Sequence, residues 1–580
     1  MKTKHNRRLL QEFNAANWED IKTNPFYKPQ IDAIRAEADR LICEPIPSVS
    51  FADYHLYYET GNRLQYENFY FERRKRLDIY AFLYLLDEND TYRKPLFDSL
   101  WAILDEFTWA LPAHVDENLP LEKQRCMLDL FSSETGYTLS EIYFLLHHRF
   151  PKLLCRRIEA EIHQRIIQSF LVLFPNGMNR WEAMNNNWAA VCAGSVGNVF
   201  LYMASDEEWA AAKPRLLTCM NNFLSGFSND GACLEGFTYW QYGFGYFLQF
   251  AELLRQYTDG AEDLLTLPKV QLIAQFQQNC ILDDSLCIPV SDANMEQFKQ
   301  DLYISHYLYR HFPGIELPDR EMSYRFGDDH CHRWGAFLRY FLWTDSTIPV
   351  CTMKKKSWYF KDAAWYIHND DMYSFMAKAG HNDEPHNHND IGNFCLSHQN
   401  HFLLYDLGAG EYTASYFRDE TRYSHITNSS FGHSVPLIGG AGQMPGKQYS
   451  GSILEATHKH LVISMEHAYD VSALKILIRE FTFRKNSLLL TDTYEFAASC
   501  EIPEIAERFI TKIKPSVAEN SVCIDALSIV FDSALLTPSI QEKTYTGHHN
   551  TEETVYLVDF TFTPSAAKTA VSFELKLSQK

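Results

Sequence analysis

A chain of 580 residues, 46% hydrophobic and 14% aromatic, is too long for one ordinary core and too apolar for disorder, so two or more folded domains are expected. A formal net charge of −21 argues against a nucleic-acid binder, which needs a broad basic surface, but leaves room for an acidic ligand in a locally basic cleft. Thirteen cysteines without CxxC pairs fit buried reduced thiols rather than a disulfide framework or a zinc ribbon.

The opening stretch "MKTKHNRRLLQEFNAANWED" is basic but leads into no apolar h-region, and no apolar run reaches the roughly 18 residues that cross a bilayer. A soluble, cytoplasmic chain with no membrane partner is expected. Next, "FERRKRLD" supplies Arg73, Arg74, Lys75 and Arg76, either a solvated helix face or a basic cluster for an acidic substrate. In "DSLWAILDEFTWALP" the apolar set Leu100, Ile103, Leu104, Phe107 and Leu111 follows helical spacing up to Pro112. "FTWALPAHV" places Trp109 and His114 at a helix end, where aromatics either stack on sugar rings or fill a core.

Helical patterns return in "AEIHQRIIQSFLVLF", "WAAAKPRLLTCMNNFLSGF" and "YFLQFAELLRQYTDG". Between them "AMNNNWAAVCAGSVG" sets Asn185, Asn186 and Asn187 before Trp188, either as a helix cap or as amides shown to a ligand. "NDGACLEGFTYWQYGFGYF" adds Glu235, Tyr239, Trp240 and Tyr242 beside glycines. Residues 1–345 are therefore expected to form an all-helical domain.

After "TDSTIPVCTMKKKSW" the pattern changes to short β-rich runs, among them "AAWYIH", "MYSFMAKA", "NFCLSH", "HFLLYDLG", "KILIREFTF" and "SLLLTDTYEF". Short connections such as Gln399-Asn400 and "RKNS" read as hairpin turns, and an antiparallel β-sandwich over residues 346–580 is expected. Within it, "GHNDEPHNHNDIG" concentrates His381, His386 and His388. On extended backbone His386 and His388 point to one side, which suits one metal ion, or one metal ligand beside one catalytic base. Asp406 after "HFLLY" and His433 in "SSFGHSV" would complete a two-histidine, one-carboxylate zinc set.

Taken in order, "NNNWAAVCAG", "DGACLEGFTYWQYG", "GHNDEPHNHNDIGNF", "LLYDLGAGEYT", "RYSHITNSSFGHSV" and "REFTFRKNSLLLTDTYEF" resemble the heparinase II/III-like polysaccharide lyases, from about "TWALPAH" onward. The resemblance implies a multidomain α + β chain: an N-terminal (α/α) toroid of helical hairpins followed by a C-terminal antiparallel β-sandwich. It implies β-elimination on uronate-containing acidic glycans, glycosaminoglycan- or alginate-like, leaving 4,5-unsaturated uronate ends. Asn186 and Asn187 match the position that neutralises the uronate carboxylate. Tyr239 and His386 match the acid/base pair, with Tyr242 the alternative tyrosine. His388, Asp406 and His433 match ligands of a mainly structural zinc, with no organic cofactor, although relatives read "HN" where this chain has "HSV".

Substrate contacts are assigned to Trp109, His114, Trp188, Glu235, Trp240, Tyr242, Arg422 and Tyr423. The partner implied is an acidic oligo- or polysaccharide, and a homodimer is compatible with this reading. Two other functions compete. One is a metal-dependent glycoside hydrolase pairing Glu235 with Asp383 or Asp390. The other is a non-catalytic carbohydrate-binding protein that keeps the fold.

Overall fold

Several helices in the first part of the chain start where short polar side chains satisfy the first free amides. The computed structural model describes residues 9–578, apart from 176, 284, 294–297, 414, 499–500 and 549. In it, reciprocal capping boxes precede Phe51–Thr60 (Ser50 with Asp53), Leu130–Leu146 (Asp129 with Ser132) and Asp206–Ser225 (Ser205 with Glu208). Sequence neighbours then pack in pairs: Leu64–Asp87 with Arg93–Leu104, Asn187–Met203 with Asp206–Ser225, and Leu302–His311 with Trp334–Trp343. Asn187–Met203 also packs on Leu130–Leu146, and on Phe237–Tyr257 through Gly197, where an added Cβ would sit 2.4 Å from the Phe250 ring. A buried Glu141 carboxylate ties three helices together, accepting from Arg339 at 2.5 and 2.7 Å, from Trp334 at 3.0 Å and from Tyr202 at 2.8 Å.

Two expectations change here. The helix in "DSLWAILDEFTWALP" ends at Leu104, and Phe107 is exposed. The Trp109 indole N–H takes the Ile103 carbonyl at 3.0 Å, and the Glu106 carboxylate turns to Arg73 and Arg74 at 3.1 and 2.6 Å, so side chains end the helix before Pro112 does. The basic cluster 73–76 is correspondingly internal. Arg73 also donates to the Pro47 and Ala102 carbonyls, Arg76 to those of Leu41 and Glu44, and Lys75 pairs with Glu37 and Glu72. It holds helices together and is not a patch for an acidic substrate.

The chain packs as two compact units, one of residues up to 226, 239–274 and 299–351, the other of 227–238, 275–298 and 352 onward. The second unit thus takes two segments from the helical half of the sequence, including a small hairpin, Ile281–Leu282 with Leu286–Cys287, within the stretch expected to be all-helical. The preceding helix, Phe276–Asn279, has already ended before the first of these strands, and Asp283 after it has a φ of 51°.

Among the described residues the sheets have nine, five, four and two strands. Leu474–Arg484 pairs with Ser487–Phe496 across the two-residue turn Lys485-Asn486, and both alternate between buried and less buried positions. The inward face includes Asp492, which is tolerated because Arg479 meets it at 2.6 Å. In the five-stranded sheet Phe394–His398 joins His401–Leu404 through Gln399 and Asn400 at φ 51° and 61°, the left-handed pair of a tight hairpin. Phe375, Phe394, Phe481, Phe509, Phe560 and Phe573 share one core. Among the described residues no helix is long and apolar enough to cross a membrane.

Candidate functional site

In the helical unit the asparagine run sits at a helix start. Asn186 is the cap of Asn187–Met203, its side-chain oxygen accepting from the Trp188 amide at 3.2 Å, and Asn187, the first helical residue, is 2% exposed. The half-buried Trp188 ring lies 4.9 Å from that of His114, whose Nδ1 meets Asp129 Oδ2 at 2.7 Å. Three of the predicted residues, Asn186, Trp188 and His114, are thereby brought together.

Tyr239 and Tyr242 are one turn apart near the start of Phe237–Tyr257. Tyr239 is half-buried. Tyr242 donates its hydroxyl to Glu134 at 2.6 Å under the Arg333 guanidinium, 4.3 Å above the ring. Burial first, and the Glu134 charge second, push that phenol well above its ordinary range. That hydroxyl stays protonated and is committed to Glu134.

In the second unit the histidine loop is fastened on several sides. The Gln443 side chain bonds the amide and carbonyl of Ile391 at 2.9 and 2.6 Å, and Ser430 Oγ donates to the Asn389 carbonyl at 2.7 Å. Arg479 donates to the carbonyls of Gly392 and Ser434 at 2.9 and 2.7 Å, joining the two segments that carry His388 and His433. Gly392 ends the loop at φ 83°, and a Cβ there would meet Met465 Sδ at 2.2 Å, so only glycine fits.

His386 is held at φ 56°, a conformation few non-glycine residues adopt. Its Nδ1 lies 2.5 Å from Asp292 Oδ2 and its Nε2 lies 3.7 Å from Glu235. Burial raises the Asp292 carboxyl, but the hydrogen bonds from His386 and His388 outweigh that and hold it well below the usual carboxylate range. Burial likewise lowers His386 while its bond to Asp292 raises it, for a net upward shift. Tyr416 also donates to Asp292, and Arg422 lies 3.6 Å away while donating twice to the Asn387 carbonyl. Asn387 Nδ2 reaches the Tyr423 hydroxyl at 3.4 Å.

Behind this loop, donor atoms of His388, Asp390, Asp406 and His433 all lie within 4.8 Å of one another, and all four residues are buried. His433 donates Nδ1–H to the Ser429 carbonyl at 2.8 Å, leaving Nε2 3.4 Å from Asp406. His388 Nδ1 and His433 Nε2 have no hydrogen-bond partner among the described residues. Two buried imidazole lone pairs facing carboxylates are a donor set that fits a divalent cation.

Residues 352–576 match the family model described as Heparinase II/III-like, C-terminal. They form a heparinase II/III-like domain. No curated protein sequence matches the chain significantly. Similar solved structures include heparinase III, at a TM-score of 0.62 and 13% identity over 98% of this chain and 94% of that one. A heparan sulfate lyase HepC mutant from Pedobacter heparinus aligns at 0.61 and 14% over 94% and 84%. The chondroitin AC lyase of Streptomyces coelicolor A3 aligns at 0.53 and 9% over 99% and 82%. At these identities the likeness is one of fold, an (α/α) toroid followed by an antiparallel β-sandwich.

Within the heparinase II/III-like domain the structure gathers His386, Arg422, Tyr423 and, close behind them, His388, Asp406 and His433. Glu235, from the 227–238 segment of the same unit, joins them. Asp390, unassigned in the sequence, turns inward with Lys378 at 2.8 Å, whereas His381 is only half-buried beside the exposed Asp383. Trp109 and Trp240 are corrected. Their indoles are 1% and 0% exposed and bond the Ile103 and Ile273 carbonyls, so they fill the helical core and offer no sugar-stacking face. Asp292 and Tyr416 were missed. The signal for Asp292 was present: it closes the apolar run "LCIPVSD" much as Asp406 closes "HFLLYD".

Proposed function

We propose that the protein is a polysaccharide lyase that cleaves uronate-containing acidic glycans by β-elimination. The observation that carries this reading is His386. It is locked in a left-handed backbone conformation with Nδ1 on Asp292 and Nε2 facing Glu235, in a domain that matches the heparinase II/III-like family. Removing the proton next to a carboxylate requires that the carboxylate be neutralised as charge develops, and an asparagine amide at Asn186 or Asn187 supplies the donors. Tyr239 and His386 then take the C5 proton and protonate the departing O4.

Zinc is proposed at His388, Asp406 and His433, with Asp390 beside them, because it would satisfy the two buried imidazole lone pairs. Bound there, it supplies a fixed charge that clamps the histidine loop to the segment carrying His433. Paired-carboxylate hydrolysis has less support, since Asp390 faces Lys378 and Asp383 is exposed.

The test is a panel of heparan, chondroitin, alginate and unsulfated uronate glycans followed by ultraviolet absorbance, with metal content measured on the same sample. New absorbance from unsaturated uronate is expected, abolished by Tyr239→Phe and by His386→Ala. Product formed by water addition, without absorbance, would overturn the lyase reading.

A further inference from the structure

His386 and His388 are two positions apart, yet they offer different ring nitrogens to the same carboxylate. Asp292 Oδ2 lies 2.5 Å from Nδ1 of His386, and Asp292 Oδ1 lies 3.0 Å from Nε2 of His388. A carboxylate only accepts, so in each ring the nitrogen facing it carries the proton. His386 is therefore protonated at Nδ1, which leaves Nε2 on the Glu235 side. His388 is protonated at Nε2, which leaves Nδ1, without a hydrogen-bond partner among the described residues, as the ring nitrogen it can offer to the cluster with Asp390, Asp406 and His433.

The carboxylate is built for this task. It is 4% exposed, Tyr416 adds a hydroxyl to Oδ1, and the Arg422 guanidinium lies 3.6 Å from Oδ2, so both oxygens are fully engaged. Asp292 also comes from a segment about ninety positions before the loop, so neither histidine could acquire this orientation from its own hairpin. We infer that Asp292 is a positioning residue that fixes opposite ring orientations in the two histidines, reserving His386 Nε2 for proton transfer and His388 Nδ1 for a metal ion. The proton-transfer half rests on the lyase reading, while the metal half stands apart from it.

Asp292→Asn tests this at nearly constant shape. An amide has one acceptor and one donor group, so one of the two histidines must lose its bond or reverse its proton, as a carboxylate-to-amide change does to a catalytic histidine in serine proteases. Zinc retention against a competing chelator, kcat on the active glycan, or both, should fall about 10- to 100-fold, with KM changing far less and the thermal midpoint close to that of the unaltered protein. Unaltered zinc retention together with unaltered kcat would overturn the inference. Should the variant fail to fold, the unaltered metal-free protein labelled with 15N-histidine decides. Its signals, assigned through His386→Ala and His388→Ala, should show Nδ1–H on His386 and Nε2–H on His388, and the reverse assignment would sink the inference. If no glycan yields unsaturated product, the lyase reading falls, while the zinc and nitrogen measurements still judge Asp292.

Discussion

At Asn186 the side-chain oxygen accepts the Trp188 amide as a helix cap, and in the proposed lyase the NH2 group would meet the substrate carboxylate. Aspartate caps a helix about as well as asparagine but donates nothing and brings a like charge to a uronate. Asn186→Asp should therefore leave the thermal midpoint unchanged and abolish elimination, whereas Asn186→Ala should also cost about 1 kcal/mol of stability through the lost cap. Full activity in Asn186→Asp would pass the neutralising role to Asn187, for which the same substitution is the matching test. The triple asparagine was visible in the sequence, but which member caps depends on where the helix begins. That is decided by close packing at its start, where a Cβ on Gly226 would clash at 1.6 Å with the Asn185 carbonyl.

Individual elements show where periodicity informs and where it misleads. The alternation in Ser487–Phe496 was legible because one face is buried, yet it places Asp492 inside, opposite Arg479, with Glu507 3.4 Å from the same guanidinium. Arg479→Met would leave both carboxyl groups buried without their cation, which costs about 3–5 kcal/mol for a broken buried pair. Urea denaturation should show that loss, and zinc content should fall with it, because the same guanidinium holds the Gly392 and Ser434 carbonyls beside His388 and His433. A stable variant with full zinc content would separate the strand core from the histidine loop. The helix ending at Leu104 taught the opposite lesson. Its apolar spacing ran on, but Trp109 and Glu106 found partners that ended it early.

For the molecule as a whole, the charge of −21 includes carboxyl groups that folding places where they resist ionisation. Burial pushes Asp301 from 3.8 up to about 7, with the Asp329 charge adding to the shift and Arg333 opposing it. Between those values the folded chain keeps a proton that the unfolded chain has released, so Asp301 makes stability fall as pH rises from about 4 to about 7. Asp301→Asn removes this slope at nearly constant shape, and the Asp301 side chain makes no cap hydrogen bond to Leu302–His311 that the change could break. The variant should match the unaltered protein near pH 4 and exceed it at pH 8, measured by urea midpoints at both values. Equal midpoints at pH 8 would contradict the raised carboxyl.

The sequence by itself determined the helical and β-rich regions, because apolar side chains must recur at the period of the element that buries them, and 3.6 and 2 are easily told apart. Its polar loops made His386, His388, Asp406 and His433 stand out against an apolar background, and the resemblance to heparinase II/III-like lyases joined them in one pattern. Tertiary structure alone decided which groups face one another. Asp292 meets both histidines from a distant segment, Asp390 turns toward their cluster, and the basic run at 73–76 is neutralised from within. Those pairings follow from packing between segments remote in the chain, where the loss of water makes each buried charge seek a partner that local spacing does not reveal.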